Sequence, residues 1–166
     1  MEAAVRQHLL APDEGESVSL FLLGVRFMID GEETGGRFSL VEHPLAGRAL
    51  GAPVHTHRNE DEYSYVLEGR VTVQLGDEIV EAGPGELVFK PRGLPHAFWN
   101  ARDEPARLLE LISPAGFENY FRELAPLLGA PQVDQAAVRE VVERYQLEID
   151  HTTIPELARR HGLRLE

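Results

Sequence analysis

Cysteine is absent from this chain of 166 residues. Its absence removes disulfides, thiolate metal ligands and cysteine nucleophiles together, and leaves histidine and carboxylates as the strong ligands. Positive charge is scarce: 16 Lys and Arg stand against 28 Asp and Glu, a formal net charge of −12. Nucleic acid and acidic membranes both need a basic face, so neither is expected as a partner. No apolar run approaches the length of a membrane span. The opening M-E-A-A-V-R-Q-H-L-L lacks the charged-then-apolar pattern of a signal peptide, which makes the cytoplasm the expected compartment. There is no internal repeat and no low-complexity segment. What is present, 43% apolar and 27% charged residues, is ordinary for a globular chain long enough to bury a core.

Short β-branched and aromatic runs separated by turn residues fill the first two thirds. Ser17–Met28 is long enough for one or two strands, and Arg37–His43 alternates as a half-buried strand. Pro44–Pro53, punctuated by Gly and Pro, reads as a loop. Glu62–Leu67 has period two, with Glu62, Ser64 and Val66 on one face and Tyr63, Tyr65 and Leu67 on the other. Gly76-Asp77 reads as a tight hairpin turn between Arg70–Leu75 and the next strand. Leu87–Lys90, His96–Asn100 and Ala106–Ile112 complete the series, which argues for an antiparallel sandwich or barrel. From Pro114 the pattern changes to helical spacing. Phe117, Tyr120, Phe121, Leu124 and Leu128 form one stripe, and Val138, Val141, Val142 and Tyr145 a second behind an Asp134 N-cap. Thr153-Ile154-Pro155-Glu156 has the form of a capping box for a short third helix ending at Gly162. The expected division is a β domain over residues 1–113 and a helical extension over 114–166, packed on the β domain or on a partner copy.

Two stretches carry the chemistry. His55–Gly69 reads H-T-H-R-N-E-D-E-Y-S-Y-V-L-E-G, and Gly85–Asn100 reads G-E-L-V-F-K-P-R-G-L-P-H-A-F-W-N. On a strand, residues two apart share a face, so His55 and His57 aim at one point about 6–7 Å apart along the chain. Converging neutral imidazoles and a carboxylate suit a divalent first-row metal, and the set expected is His55, His57, Glu62 and His96. His8, His43, His151 and His161 read as plain polar surface residues. Phe38, Phe98 and Trp99 are candidates for a pocket lining, though aromatics on such strands are more often core.

Both stretches resemble the paired motifs of the cupin superfamily. The first is matched by His55, His57, Glu62 and Gly69, with Ala49 standing where a leading glycine is expected; the second is matched in full by Gly85, Pro91, Gly93, His96 and Asn100. The resemblance implies a mainly β, antiparallel cupin-type jelly-roll barrel with the C-terminal α-helical extension attached. It also implies one divalent transition metal (Fe, Mn, Ni, Co, Cu or Zn) and a small-molecule substrate. Within the superfamily, E-T-G-G-R-F-S-L-V-E, N-E-D-E-Y-S-Y-V-L-E-G and S-P-A-G-F-E-N-Y-F-R-E-L are similar to small flavonol (quercetin) dioxygenases. That likeness implies an oxidoreductase using dioxygen, with Glu62 as both ligand and catalytic base. The alternatives are a metal-dependent isomerase or epimerase of a small sugar or keto acid, and a non-catalytic small-molecule-binding cupin. A homodimer is expected by the same resemblance.

Overall fold

The computed structural model describes residues 9–166, so His8 lies outside the described residues. Eleven strands and three helices follow one another as β1 (Ser17–Leu20), β2 (Leu23–Ile29), β3 (Ser39–Leu45), β4 (Leu50–His57), β5 (Asp61–Glu68), β6 (Val71–Leu75), β7 (Glu78–Ala82), β8 (Leu87–Lys90), β9 (His96–Trp99), β10 (Ala106–Ser113), α1 (Glu118–Leu128), α2 (Gln135–Arg144), β11 (Leu147–Ile149) and α3 (Thr153–His161). The strands form two antiparallel sheets, ordered β1-β2-β3-β10-β5-β8 and β11-β4-β9-β6-β7. The jelly-roll architecture is therefore two facing sheets, and the continuous closed barrel expected from the resemblance is not formed. No helix among the described residues is long and apolar enough to cross a membrane.

Alternation decides which residues face inward. Along β10, Ala106, Leu108, Glu110 and Ile112 are buried, and along β5, Glu62, Ser64 and Val66 are. Ala106, Leu108 and Val66 join Leu23, Leu45, Val71, Val73 and Phe98 in one core cluster. Tyr65, Leu87 and Phe89 alternate outward and are exposed. The β6–β7 hairpin closes as Leu75↔Glu78 around Gly76-Asp77, with Gly76 at φ 58°. Gly76 suits that turn because the left-handed region costs a side chain strain.

Two segments depart from the sequence reading. Pro44–Pro53 is strand at both ends, since β3 runs through Pro44 to Leu45 and β4 begins at Leu50. β4 tolerates Pro53 because its pairing with β9 shifts register between Leu50 and Ala52 and again between Ala52 and His55. Such irregularities accommodate a residue with no N–H. Gly51 is required there, because a methyl at this position would lie 2.2 Å from the Phe98 ring. The second departure is β11, a three-residue strand inside the helical tail that pairs with β4 as Leu147↔His57 and Ile149↔His55.

α1 packs against β1 and β3, α2 against α1 and β11, and α3 against β4. Phe117, Tyr120, Phe121 and Leu124 join Val25, Phe27, Val41 and Ile112 in one cluster, with Val138, Val142 and Tyr145 alongside. Asp134 caps α2, its carboxylate accepting from the N–H groups of Ala136 and Ala137 at 2.9 and 3.1 Å. The capping box expected at Thr153 does not form. Thr152 takes the cap position with no side-chain bond to the helix, its Oγ1 donating instead to the Asp150 carboxylate, while Thr153 Oγ1 donates to the Asp150 carbonyl and accepts from Val54 N–H. Gly162 ends α3 in the left-handed region at φ 64°.

Candidate metal centre

Period two places His55 and His57 on the same face of β4, and the β4–β9 register sets His55 opposite His96. Glu62 opens the inward face of β5. One ligand atom from each of these four residues lies within 4.8 Å of the others, and all four residues are buried. The loop before β9 holds the arrangement. Gly93 N–H donates to the His57 carbonyl at 2.8 Å, and Arg92 forms a two-pronged ion pair with Asp61 at 3.0 and 2.7 Å. Asn100 is buried and staples the far end, donating to the carbonyls of Ala46 and Glu104 and accepting from Arg102 N–H.

The hydrogen bonds behind the rings show that the four residues suit a cation. His55 Nδ1 lies 2.8 Å from the Pro53 carbonyl and His96 Nδ1 2.9 Å from the Leu94 carbonyl. A carbonyl can only accept, so both rings carry a proton on Nδ1. Burial pushes the pKa of both rings down, that of His55 well below its ordinary value, so the neutral rings turn Nε2 lone pairs inward. His57 Nδ1 has the Glu60 carboxylate as its outer partner at 3.3 Å. Inside the ring of residues, Glu62 Oε2 sits 3.1 Å from His96 Nε2 and Glu62 Oε1 3.4 Å from His57 Nε2. Electron-rich atoms thus face one another, an arrangement that a divalent cation relieves. The Phe117 ring packs edge-on against His57 with centroids 4.3 Å apart, so a residue of the tail restrains one of the four.

Beside this cluster lies a charge chain that sequence reasoning missed. Lys90 Nζ is 3.0 Å from Glu62 Oε2 and 3.0 Å from Glu110 Oε1, and Ser64 Oγ donates to Glu110 Oε2 at 2.6 Å. Burial alone would raise the Glu62 carboxyl, yet His57, Lys90 and His96 around it hold it well below the usual carboxylate range. Glu110 goes the other way: burial outweighs the pull of Lys90 and pushes its carboxyl up to about 7. For Lys90, burial works against the charge, but Glu110 and Glu62 together hold its pKa above the ordinary value. Lys90 is the only lysine of the chain, and its place two residues after Val88 on an inward-facing parity was the available signal. Glu110, between Leu108 and Ile112 on the buried face of β10, offered the same signal.

The cluster opens onto a cavity of about 450 Å³. Its lining includes the polar His55, His57, Glu62, Lys90 and Glu110; most of the remainder is apolar, Leu23, Phe98, Phe117 and Phe121 among it, with Gln135, His151 and Glu166 also present. Phe98 lines this cavity, whereas Trp99 turns away to pack with Leu157, Leu163 and the His161 ring. Phe38 lies in a separate groove on the outer face of the six-stranded sheet, with Tyr63, Tyr65 and Leu87. His43 is not a surface residue. It is 2% exposed, lies in the cavity wall and is held between Phe98 and Phe121.

Comparison with known proteins agrees with this architecture. Residues 44–112 match a family model described as a cupin domain. Polyketide synthase CurC of Streptomyces cyaneus is 29% identical over 102 residues, which cover 61% of this chain and 62% of that protein. The chain thus spans less than two thirds of that relative. The polyketide cyclase RemF of Streptomyces resistomycificus superposes with a TM-score of 0.58 at 27% identity, covering 65% of this chain and 80% of that one. KdgF of a Halomonas species superposes with a TM-score of 0.60 at 18% identity, over 69% of this chain and 99% of that one. At that identity the likeness is one of fold.

Proposed function

We propose, on the premise that the chain belongs to the cupin superfamily, that it is a metal-dependent enzyme acting on a small, largely apolar compound rich in carbonyl and hydroxyl groups. The reaction proposed is enolisation followed by ring closure, as in the assembly of polyketide rings. The observation that carries this reading is the cavity, where the four-residue cluster and the Lys90–Glu110 pair form a charged floor under an aliphatic and aromatic vault. The names of CurC and RemF lend it support.

A divalent transition metal held by His55, His57, Glu62 and His96 supplies Lewis acidity toward a carbonyl oxygen. Glu110 lines the same cavity and is not part of the ligand cluster, so the proton-transfer role passes to it from Glu62. Glu62, bound by Lys90 and flanked by His96, is a weak base. Glu110 takes the proton from the carbon beside the carbonyl, and the electron pair moves onto the carbonyl oxygen. The resulting carbon nucleophile forms the new carbon–carbon bond at a second carbonyl, whose oxygen then receives the proton back from Glu110. While Glu110 is neutral, Lys90 keeps only Glu62 as partner, and its charge balances the anion that has moved to the substrate. The largely apolar lining lowers the local polarity, which strengthens these interactions.

Flavonol-type oxygenation, implied by the resemblance, uses the same four ligands and the same pocket, and it is the competing reading. An apolar vault is a poor host for a small sugar, which weighs against the isomerase alternative. Metal analysis of the purified chain, then deuterium exchange into 1-phenyl-1,3-butanedione in D2O, tests the proposal. Stoichiometric metal and a catalysed exchange that falls about a hundredfold or more in Glu110→Gln are expected. Oxygen uptake with a flavonol, in the absence of any catalysed exchange, would transfer the site to the dioxygenase reading.

A further inference from the structure

His43 stands on the buried face of β3 and is 2% exposed, yet it takes no part in the metal cluster. Its Nδ1 lies 2.9 Å from the Gly24 carbonyl, which can only accept, so the proton of the ring sits on Nδ1. The ring is edge-on to Phe121 at 5.4 Å between centroids and tilted against Phe98 at 6.3 Å. Nε2 forms no hydrogen bond among the described residues, and it is not one of the fully buried polar atoms left without a partner, so it reaches accessible space. Its lone pair belongs to a ring that forms part of the cavity wall. An accessible acceptor with no protein partner, on a ring that lines a cavity, is free to take a hydrogen bond from a bound molecule.

The chemistry of that partner follows from the ring. Burial pushes the His43 pKa down to about 4, so at neutral pH Nε2 accepts and does not donate. A carbonyl, carboxylate or phosphate oxygen therefore gains nothing from it. A cationic amine would give up its hydration beside the Phe98 and Phe121 rings, where the His43 ring offers one acceptor and no charge. A neutral donor remains, and the molecule proposed above carries hydroxyl donors as enols and phenols.

We infer that His43 reads a hydroxyl group on the bound small molecule, accepting its hydrogen bond at Nε2, and so makes the pocket prefer hydroxylated ligands over their deoxy counterparts. This rests on the reading of the cavity as a small-molecule site and adds which part of the molecule the far wall recognises.

The test uses the full metal-loaded chain with 3-hydroxyflavone, whose hydroxyketone end suits a metal, and its derivatives carrying one extra hydroxyl at each ring position. One derivative is expected to bind about tenfold tighter than the parent, and to lose that advantage in His43→Phe. In the unsubstituted chain labelled with 15N-histidine, the same derivative moves the His43 Nε2 resonance to lower chemical shift and leaves Nδ1 nearly unchanged. This readout stands even if the phenylalanine variant fails to fold. An Nε2 resonance indifferent to every bound derivative, or a hydroxyl advantage that survives in folded His43→Phe, overturns the inference. Equal binding with and without metal would instead sink the metal-dependent function and leave the His43 result standing.

Discussion

Replacing Lys90 with methionine is expected to destabilise the metal-free protein by about 3–5 kcal/mol. The side chain is 2% exposed, and its ammonium lies 3.0 Å from a carboxylate oxygen on each side. At that spacing each pair is worth about 5 kcal/mol of gross attraction at an effective dielectric near 20. Withdrawing three charges from water offsets most of that gain, so the net cost of breaking the chain is smaller than the sum. Methionine fills the volume of the lysine stem but leaves Glu62 and Glu110 as neighbours without a cation. Glu110, whose carboxyl burial already pushes up to about 7, is the one that takes up a proton. In a chain of this size each kcal/mol moves Tm by about 2–4 °C, so thermal unfolding in EDTA should show a fall of about 6–20 °C. Adding Glu110→Leu removes the orphaned carboxyl and should recover part of the loss. A divalent metal should recover more in Lys90→Met than in the parent, since it neutralises Glu62. A metal-free Tm within about 2 °C of the parent would refute the reasoning, because a buried cation between two carboxylates cannot be that cheap to remove.

Other outcomes follow from the same geometry. His96→Ala should lower metal content and Tm together, measured by elemental analysis and calorimetry, because metal bound to the native state stabilises it. Unchanged stoichiometry would displace His96 from the ligand set. Asp134→Ala should cost about 1 kcal/mol by removing two bonds to the first turn of α2, read from urea unfolding midpoints. His43 should make the protein acid-sensitive. Its folded pKa is lowered from 6.5 to about 4, so the stability it contributes is present above pH 6.5 and is lost as pH falls toward 4. Between those limits folded His43→Phe should lose about 3 kcal/mol less unfolding free energy than the parent, and parallel curves would count against a neutral buried ring.

Three members of the candidate cluster were legible locally, since H-x-H on one strand face and a carboxylate on the next strand are fixed by spacing, while His96 came from the separate second stretch. Lys90 and Glu110 carry equal weight in the site, but their partner relation crosses strands and appears only once β5, β8 and β10 are aligned. The hint was nonetheless present, as a charge at an inward parity is costly unless it is paired. His43 was misread for a similar reason, since burial of a strand end depends on the helices that later cover it. β4 was hidden by its own Gly and Pro residues, whose turn preference is overridden by register shifts and by pairing on both sides. β11 has three residues, too few for any period, and exists because β4 offers it an edge.

That pairing ties the end of the chain to its chemistry. Leu147 and Ile149 lie directly across from His57 and His55, so the last quarter of the protein acts as a splint on the strand that bears two imidazoles. Amputating the chain before Leu147 would strip one flank of that strand, while Phe117, which packs on His57, would remain. Loosening of the C-terminus and loosening of the metal seat are then a single event, and backbone amides at His55 and Leu147 should exchange with solvent in step.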